Sequence, residues 1–220
     1  MTHSTANTAH SVIIPSQNVH LDGILHIPEA ARGIVLFAHG SGSSRFSKRN
    51  QFVASVLNAA NFATLLFDLF TLEEEMQDKD KRELVFDIEF LASRLVDATE
   101  WCATQLATQD LSIGYFGAST GGGAAIVAAA KESRIVKTIV SRGGRPDLAG
   151  AALPLVKAPT LFIVGGDDEP VIELNRSAMA KMQCVKQLDI VPGATHLFEE
   201  PDTLEAVASL ATAWFSQYLR

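Results

Sequence analysis

Apolar residues along this chain gather into short dense runs, separated by polar stretches in two different rhythms. The run "GIVLFAHG" (33–40) is almost wholly apolar, the pattern of a strand buried on both faces of a parallel sheet. "ATLLFDL" (63–69) repeats it, and "LSIGYFG", "VKTIVSRGG", "PTLFIVGG" and "CVKQLDIV" read as further strands. The opening runs "HSVIIP" and "NVHLDGILHIP" are β-prone and broken by polar turn residues, so they predict a hairpin or meander.

Between the strands the rhythm changes to steps of three and four. Helical spacing follows the loop "SGSSRFSKRN" in "NQFVASVLNAANF". Leu84, Ile88, Leu91, Leu95, Ala98, Cys102 and Leu106 predict one long amphipathic helix. Further helices are expected in "GGAAIVAAAKES", around 146–155, near 172–182 and from about 201 to 219. The charged segment from Thr71 to Glu83 predicts a solvated loop or the frayed start of a helix. Strands alternating with helices specify βαβ units. The expected architecture is therefore α/β, a mostly parallel sheet with helices on both faces and an antiparallel N-terminal edge.

Length and composition narrow this further. A chain of 220 residues, 47% of them hydrophobic, fits one domain spanning 1–220 with a sizeable core. Roughly the first ten residues are the exception and are expected to be disordered. Eighteen basic against twenty-five acidic residues leave a net charge of −7 with no basic block, which argues against a nucleic-acid partner. The start "MTHSTANTAHSVIIPSQ" has neither a basic n-region nor a long apolar core, unlike a signal peptide. No run approaches the roughly 18 apolar residues of a membrane span. The expectation is a cytoplasmic protein without a membrane partner, monomeric or homodimeric, with Cys102 and Cys184 as buried thiols.

Candidate chemistry centres on "SIGYFGASTGGGAAIVAAA". Gly117-Ala118-Ser119-Thr120-Gly121 matches G-x-S-x-G between a strand and a helix, the context that motif requires. A serine on so tight a turn is strained, with its hydroxyl projecting from the sheet. Glycines two residues either side remove side chains that would clash. A phosphate loop would need a lysine before the hydroxyl residue, and the next lysine here is Lys131. A dinucleotide fingerprint would need glycine where Ser119 stands.

A serine hydroxyl needs a base, and the base needs an orienting carboxylate. On such a fold the chain order is serine, acid, histidine. His196 in "VPGATHLFEEP" is the single histidine after Ser119 and lies in the loop this order demands. The acid is expected after "PTLFIVGG", where Asp167 and Asp168 stand together. Asp168 fits better, through Gly165, Asp168 and Val171 as G-x-x-D-x-x-V, and Asp167 stays an alternative. Either could simply cap the following helix. Backbone donors for an oxyanion are expected at Thr120 and Ser41. His39 precedes the nucleophile and reads as shaping its loop.

These elements together resemble an α/β-hydrolase, and within that fold the dienelactone-hydrolase-like group. "VHLDGILHIP", "FAHGSGSS", "FGASTGGG", "IVGGDDEPV" and "GATHLFEEP" carry the resemblance across nearly the whole chain. It implies a serine hydrolase of small esters, lactones or thioesters that uses neither cofactor nor metal. Acyl transfer, peptide cleavage and a non-catalytic binding role are open on the same scaffold. Dienelactone hydrolase itself carries cysteine at the elbow, where this chain has Ser119. Four arginines lie near the same sheet end: Arg45 and Arg49 after the first buried strand, Arg142 and Arg145 in "VSRGGRPD". Arg142 and Arg45 are candidates to hold an anionic small-molecule substrate. The competing expectation is ion pairing with Asp147 or with Glu73 to Glu75. No large lid insertion is visible, so an open pocket is expected.

Overall fold

The computed structural model describes residues 8–219. The chain opens with β1 (His10–Ser16) and β2 (Val19–His26), paired antiparallel around Gln17, which takes φ 50°. In β2 the alternation of the sequence becomes alternation of burial: Leu21 and Leu25 are buried and Asp22 exposed. β3 (Ile34–Ala38), α1 (Lys48–Ala59) and β4 (Ala63–Phe67) follow. Then come α2 (Leu72–Asp78), a 3₁₀ turn at Leu84–Phe86, and α3 (Ile88–Thr104). β5 (Ile113–Ala118), α4 (Thr120–Lys131) and β6 (Val136–Arg142) form the centre. A kinked 3₁₀ segment (Pro146–Leu155), β7 (Thr160–Gly165), α5 (Glu169–Met179), β8 (Lys186–Val191) and α6 (Thr203–Tyr218) complete the chain.

All eight strands join one sheet in the order β1-β2-β4-β3-β5-β6-β7-β8. β1, β2 and β4 pair antiparallel, and every other neighbouring pair is parallel. Every residue of β3, β4, β5 and β7 is buried, which explains their unbroken apolar sequence. Val53 and Leu57 of α1 pack with Val207 and Phe215 of α6 in one core layer. Leu91 and Leu95 of α3 pack with Ala124 and Ala128 of α4 in the other. The alanine run of α4 lets that helix lie close to the central strands.

The expected long helix from Leu84 to Leu106 is interrupted. Asp87 leaves helical geometry and its carboxylate accepts from the Phe90 N–H (3.0 Å), capping α3. Leu106 lies beyond the helix end and is 90% exposed. The apolar spacing crosses two elements that share one core face, so periodicity alone fused them.

The charged segment from Thr71 to Glu83 is ordered in the same way. Thr71 and Glu74 close a reciprocal capping box on α2. Glu74 also pairs with the buried guanidinium of Arg94 on α3, which in turn donates to Ser16 Oγ (2.8 Å). Asp78 is buried and accepts from the N–H groups of Leu84 (2.9 Å) and Val85 (3.2 Å). These acids bind backbone and arginine rather than water.

Part of the expected N-terminal disorder falls at residues 1–7, outside the described residues, whereas His10 already begins β1. Cys102 is buried, and its thiol is pushed up to about 12 by that burial. Cys184 is only partly buried, a correction to the expectation for both thiols.

Candidate active site

Ser119 sits between β5 and α4 with φ 53° and ψ −121°, a strained left-handed conformation for a residue with a side chain. The turn needs glycine on both sides. A Cβ on Gly117 would lie 2.5 Å from the Gly121 carbonyl oxygen. One on Gly121 would lie 2.1 Å from the Ala38 carbonyl oxygen, at the end of the neighbouring strand β3. The strain is held by backbone bonds: Ser119 N–H donates to the Arg142 carbonyl (3.2 Å), and its own carbonyl accepts from Arg145 N–H (3.0 Å).

The loop after β8 carries His196 to this turn. Its Nε2 lies 3.4 Å from Ser119 Oγ, and its Nδ1 lies 2.6 Å from Asp168 Oδ2. Asp168 stands at the N-terminus of α5 without a side-chain capping bond, so its carboxylate is free to face the imidazole. Asp167 is exposed, and its backbone N–H donates to the Ala194 carbonyl (3.0 Å). Of the two aspartates, Asp168 meets the histidine. The arrangement leaves Nδ1–H donating to the carboxylate and Nε2 open toward the hydroxyl.

The His196 loop is braced by Glu200, whose carboxylate accepts from Thr195 Oγ1 (2.6 Å) and Thr195 N–H (3.1 Å). These bonds, the hydroxyl's first, hold the Glu200 carboxyl below its ordinary range. Phe198 is buried in the same loop with φ 54°. Nothing in "HLFEEP" distinguishes Glu200 from Glu199, because only the loop's curvature brings Glu200 back to Thr195.

A small cavity of about 150 Å³ opens over Ser119, lined by Ser41, Arg49, Arg142 and His196 among others. Ser41 stands in the loop after β3, and its hydroxyl accepts from Arg82 Nη2 (2.9 Å). Thr120 is the first residue of α4, whose opening N–H groups lack intrahelical acceptors. His39 donates from Nδ1 to the Gly40 carbonyl (3.0 Å) and accepts the Leu69 N–H at Nε2 (3.0 Å). Burial lowers its pKa, and with both nitrogens engaged it shapes the loop.

The arginines separate. Arg45 turns away to Asp68 and Asp22 and stacks on Phe46, its guanidinium carbon 4.4 Å from the ring centroid. Because those carboxylates neutralise it elsewhere, it does not join Ser119. Arg145 forks onto Asp147 at 2.8 and 2.7 Å. Arg142, at the end of β6, lines the cavity instead. Arg49 joins it, a residue that sequence marked only as one of four nearby cations. A second cleft of about 430 Å³ opens past Ser41, walled by Phe70, Asp78 and Arg82, so the segment after β4 flanks the site.

The sheet order, the strained serine turn and the loops gathered at the strand ends define an α/β-hydrolase fold. Solved structures agree. Est1E from Butyrivibrio proteoclasticus superposes with a TM-score of 0.78 at 17% identity, over 94% of this chain and 98% of that one. A dienelactone hydrolase from Anabaena variabilis matches far more closely, with TM-score 0.95 and 59% identity over 97% of this chain and 99% of that one. The dienelactone hydrolase family pattern matches residues 21–219, and the chain belongs to that family. Two curated Mycobacterium tuberculosis proteins, provisionally named phosphoribosyl transferases, are 62% identical over 201 residues. That match spans 91% of this chain but 44% of theirs. No helix among the described residues is long and apolar enough to cross a membrane.

Proposed function

We propose that this chain hydrolyses a small ester, lactone or thioester through an acyl-enzyme on Ser119. The observation that carries the reading is the continuous path from Asp168 Oδ2 through the His196 ring to Ser119 Oγ, at 2.6 and 3.4 Å. The second step is at the long end of a hydrogen bond, and such bonds commonly tighten when substrate binds. Ser119 Oγ attacks the acyl carbon while His196 Nε2 takes its proton. Asp168 holds the tautomer that makes this possible and stabilises the imidazolium. The Ser41 and Thr120 N–H groups stabilise the oxyanion. The imidazolium then protonates the leaving group, and a water deprotonated by His196 releases the acid.

A fluorophosphonate probe tests this directly. Ser119 should label covalently, and Ser119→Ala should abolish both labelling and turnover of a short-chain aryl ester. Removal of one triad member costs ~10⁴-fold or more in kcat. Retention of most activity by Ser119→Ala would sink the reading.

The transferase name of the mycobacterial relatives favours a second reading, since identity over the matched part is high. We assign that chemistry to the part of those proteins that this chain does not span. This chain alone should release no pyrophosphate from phosphoribosyl pyrophosphate with any nucleobase. Release by this chain would place transfer within the matched half.

A further inference from the structure

One cation at the site stands apart from the other arginines. Arg142 is only 7% exposed, pairs with no carboxylate among the described residues, and keeps its Nε buried without an acceptor. Its guanidinium carbon stands 5.7 Å from the Phe198 ring centroid, a distant cation–π contact. Arg49 reaches the same cavity. One of its ends binds the exposed Glu199 (2.9 Å), while its own Nε is also buried without an acceptor. Desolvation, with the Arg49 charge beside it, lowers Arg142 to about 10, which leaves it protonated at neutral pH.

Burying a charge without a partner is costly, and buried charges are ordinarily paired. Other arginines hold acids of their own: Asp147 is taken by Arg145, Asp68 by Arg45 and Glu74 by Arg94. The unmet charge therefore faces the cavity over Ser119. That cavity, about 150 Å³, lies below the roughly 300–1,000 Å³ of sites for drug-sized ligands. It has room for a short group only.

We propose that Arg142 and Arg49 form an acyl-side subsite for a short acyl group ending in an anionic headgroup, a carboxylate or a phosphate. This rests on the hydrolase reading for its placement of the acyl group, while anion binding itself does not depend on turnover.

The test has three arms. In the first, kcat/KM is compared between the p-nitrophenyl hemiester of succinate and neutral p-nitrophenyl valerate. Hydrogen bonds to charged groups contribute about 1.5–3 kcal/mol, so Arg142→Gln should lower the anionic-to-neutral ratio by about 10- to 150-fold. An unchanged ratio overturns the proposal. The second arm titrates succinate and inorganic phosphate into the Ser119→Ala protein by calorimetry. At least one should bind and lose binding when Arg142→Gln is added, and which of the two binds decides the headgroup. If neither binds, the subsite is refuted. The third arm reads the unfolding midpoint. An unpaired charge kept for a ligand predicts that Arg142→Gln unfolds no lower than the parent, whereas a structural contact with Phe198 predicts a lower midpoint and refutes the assignment. Anion binding that depends on Arg142 in a chain unreactive to fluorophosphonate would refute the hydrolase reading and leave the subsite standing.

Discussion

Replacing Asp168 by Asn isolates the tautomer argument, because the side chain keeps its shape and loses its charge. In the native site Asp168 Oδ2 accepts from His196 Nδ1–H at 2.6 Å, and the carboxylate is only 13% exposed. An Asn presenting its NH₂ would force the proton to Nε2, where the ring could no longer accept from Ser119 Oγ. An Asn presenting its carbonyl would keep the tautomer and lose the charge that stabilises the imidazolium. A charge-assisted bond of this length contributes about 1.5–3 kcal/mol, and the wrong tautomer adds to it. The corresponding exchange in serine proteases costs ~10⁴ in kcat, about 5.4 kcal/mol. We expect a loss of 10³- to 10⁴-fold here, read as initial rates on p-nitrophenyl acetate with circular dichroism confirming the fold. Asp167→Asn is the control: exposed, while Asp168 is the aspartate bonded to the ring, it should change the barrier by no more than about 0.5 kcal/mol. If Asp168→Asn keeps more than a tenth of the activity, or Asp167→Asn is the damaging exchange, the assignment of the acid is wrong.

Two stability predictions follow from groups outside the reaction. Glu74→Ala strands the Arg94 guanidinium, which is 4% exposed, and should cost about 3 kcal/mol in urea denaturation. Glu73→Ala, exposed on the same helix, should cost at most about 0.5 kcal/mol, and equal effects would return the segment to a solvated surface. His39 is buried neutral with a lowered pKa, so the unfolded chain takes up its proton first as pH falls below 6.5. Stability should then decline with a limiting slope of about 1.4 kcal/mol per pH unit from this group. Above pH 6.5 both states are neutral and the contribution is flat. Urea midpoints at pH 7.5 and 5.5 should show a smaller pH dependence in His39→Gln than in the parent; an identical dependence refutes the neutral, doubly bonded ring.

The architecture was legible in sequence because a strand buried on both faces tolerates almost no polar residue. β3, β4, β5 and β7 are therefore visible as unbroken apolar runs. The serine turn was legible for a related reason: Gly117 and Gly121 answer to backbone atoms 2.5 and 2.1 Å from where a side chain would start. Periodicity failed where two elements shared a core face, as at Asp87, and where charged residues bound the chain itself, as with Glu74 and Asp78.

What sequence alone determined about this protein is a residue inventory in a fixed order: serine on a glycine turn, aspartate pair, histidine, each at a strand end. Which aspartate meets the ring, and which arginine is left without an anion, were decided only by tertiary structure. Asp167 and Asp168 are adjacent and chemically identical, and only the path of the loop into α5 points one of them at His196. Arg45, Arg142 and Arg145 are equally cationic on paper. Asp147 lies two residues from Arg145 and pairs with it as expected, but only the fold brings Asp68 to Arg45 and no carboxylate among the described residues to Arg142. A partner two residues away can be read along the chain, whereas one 23 residues away, as Asp68 is from Arg45, is set by distances across the fold.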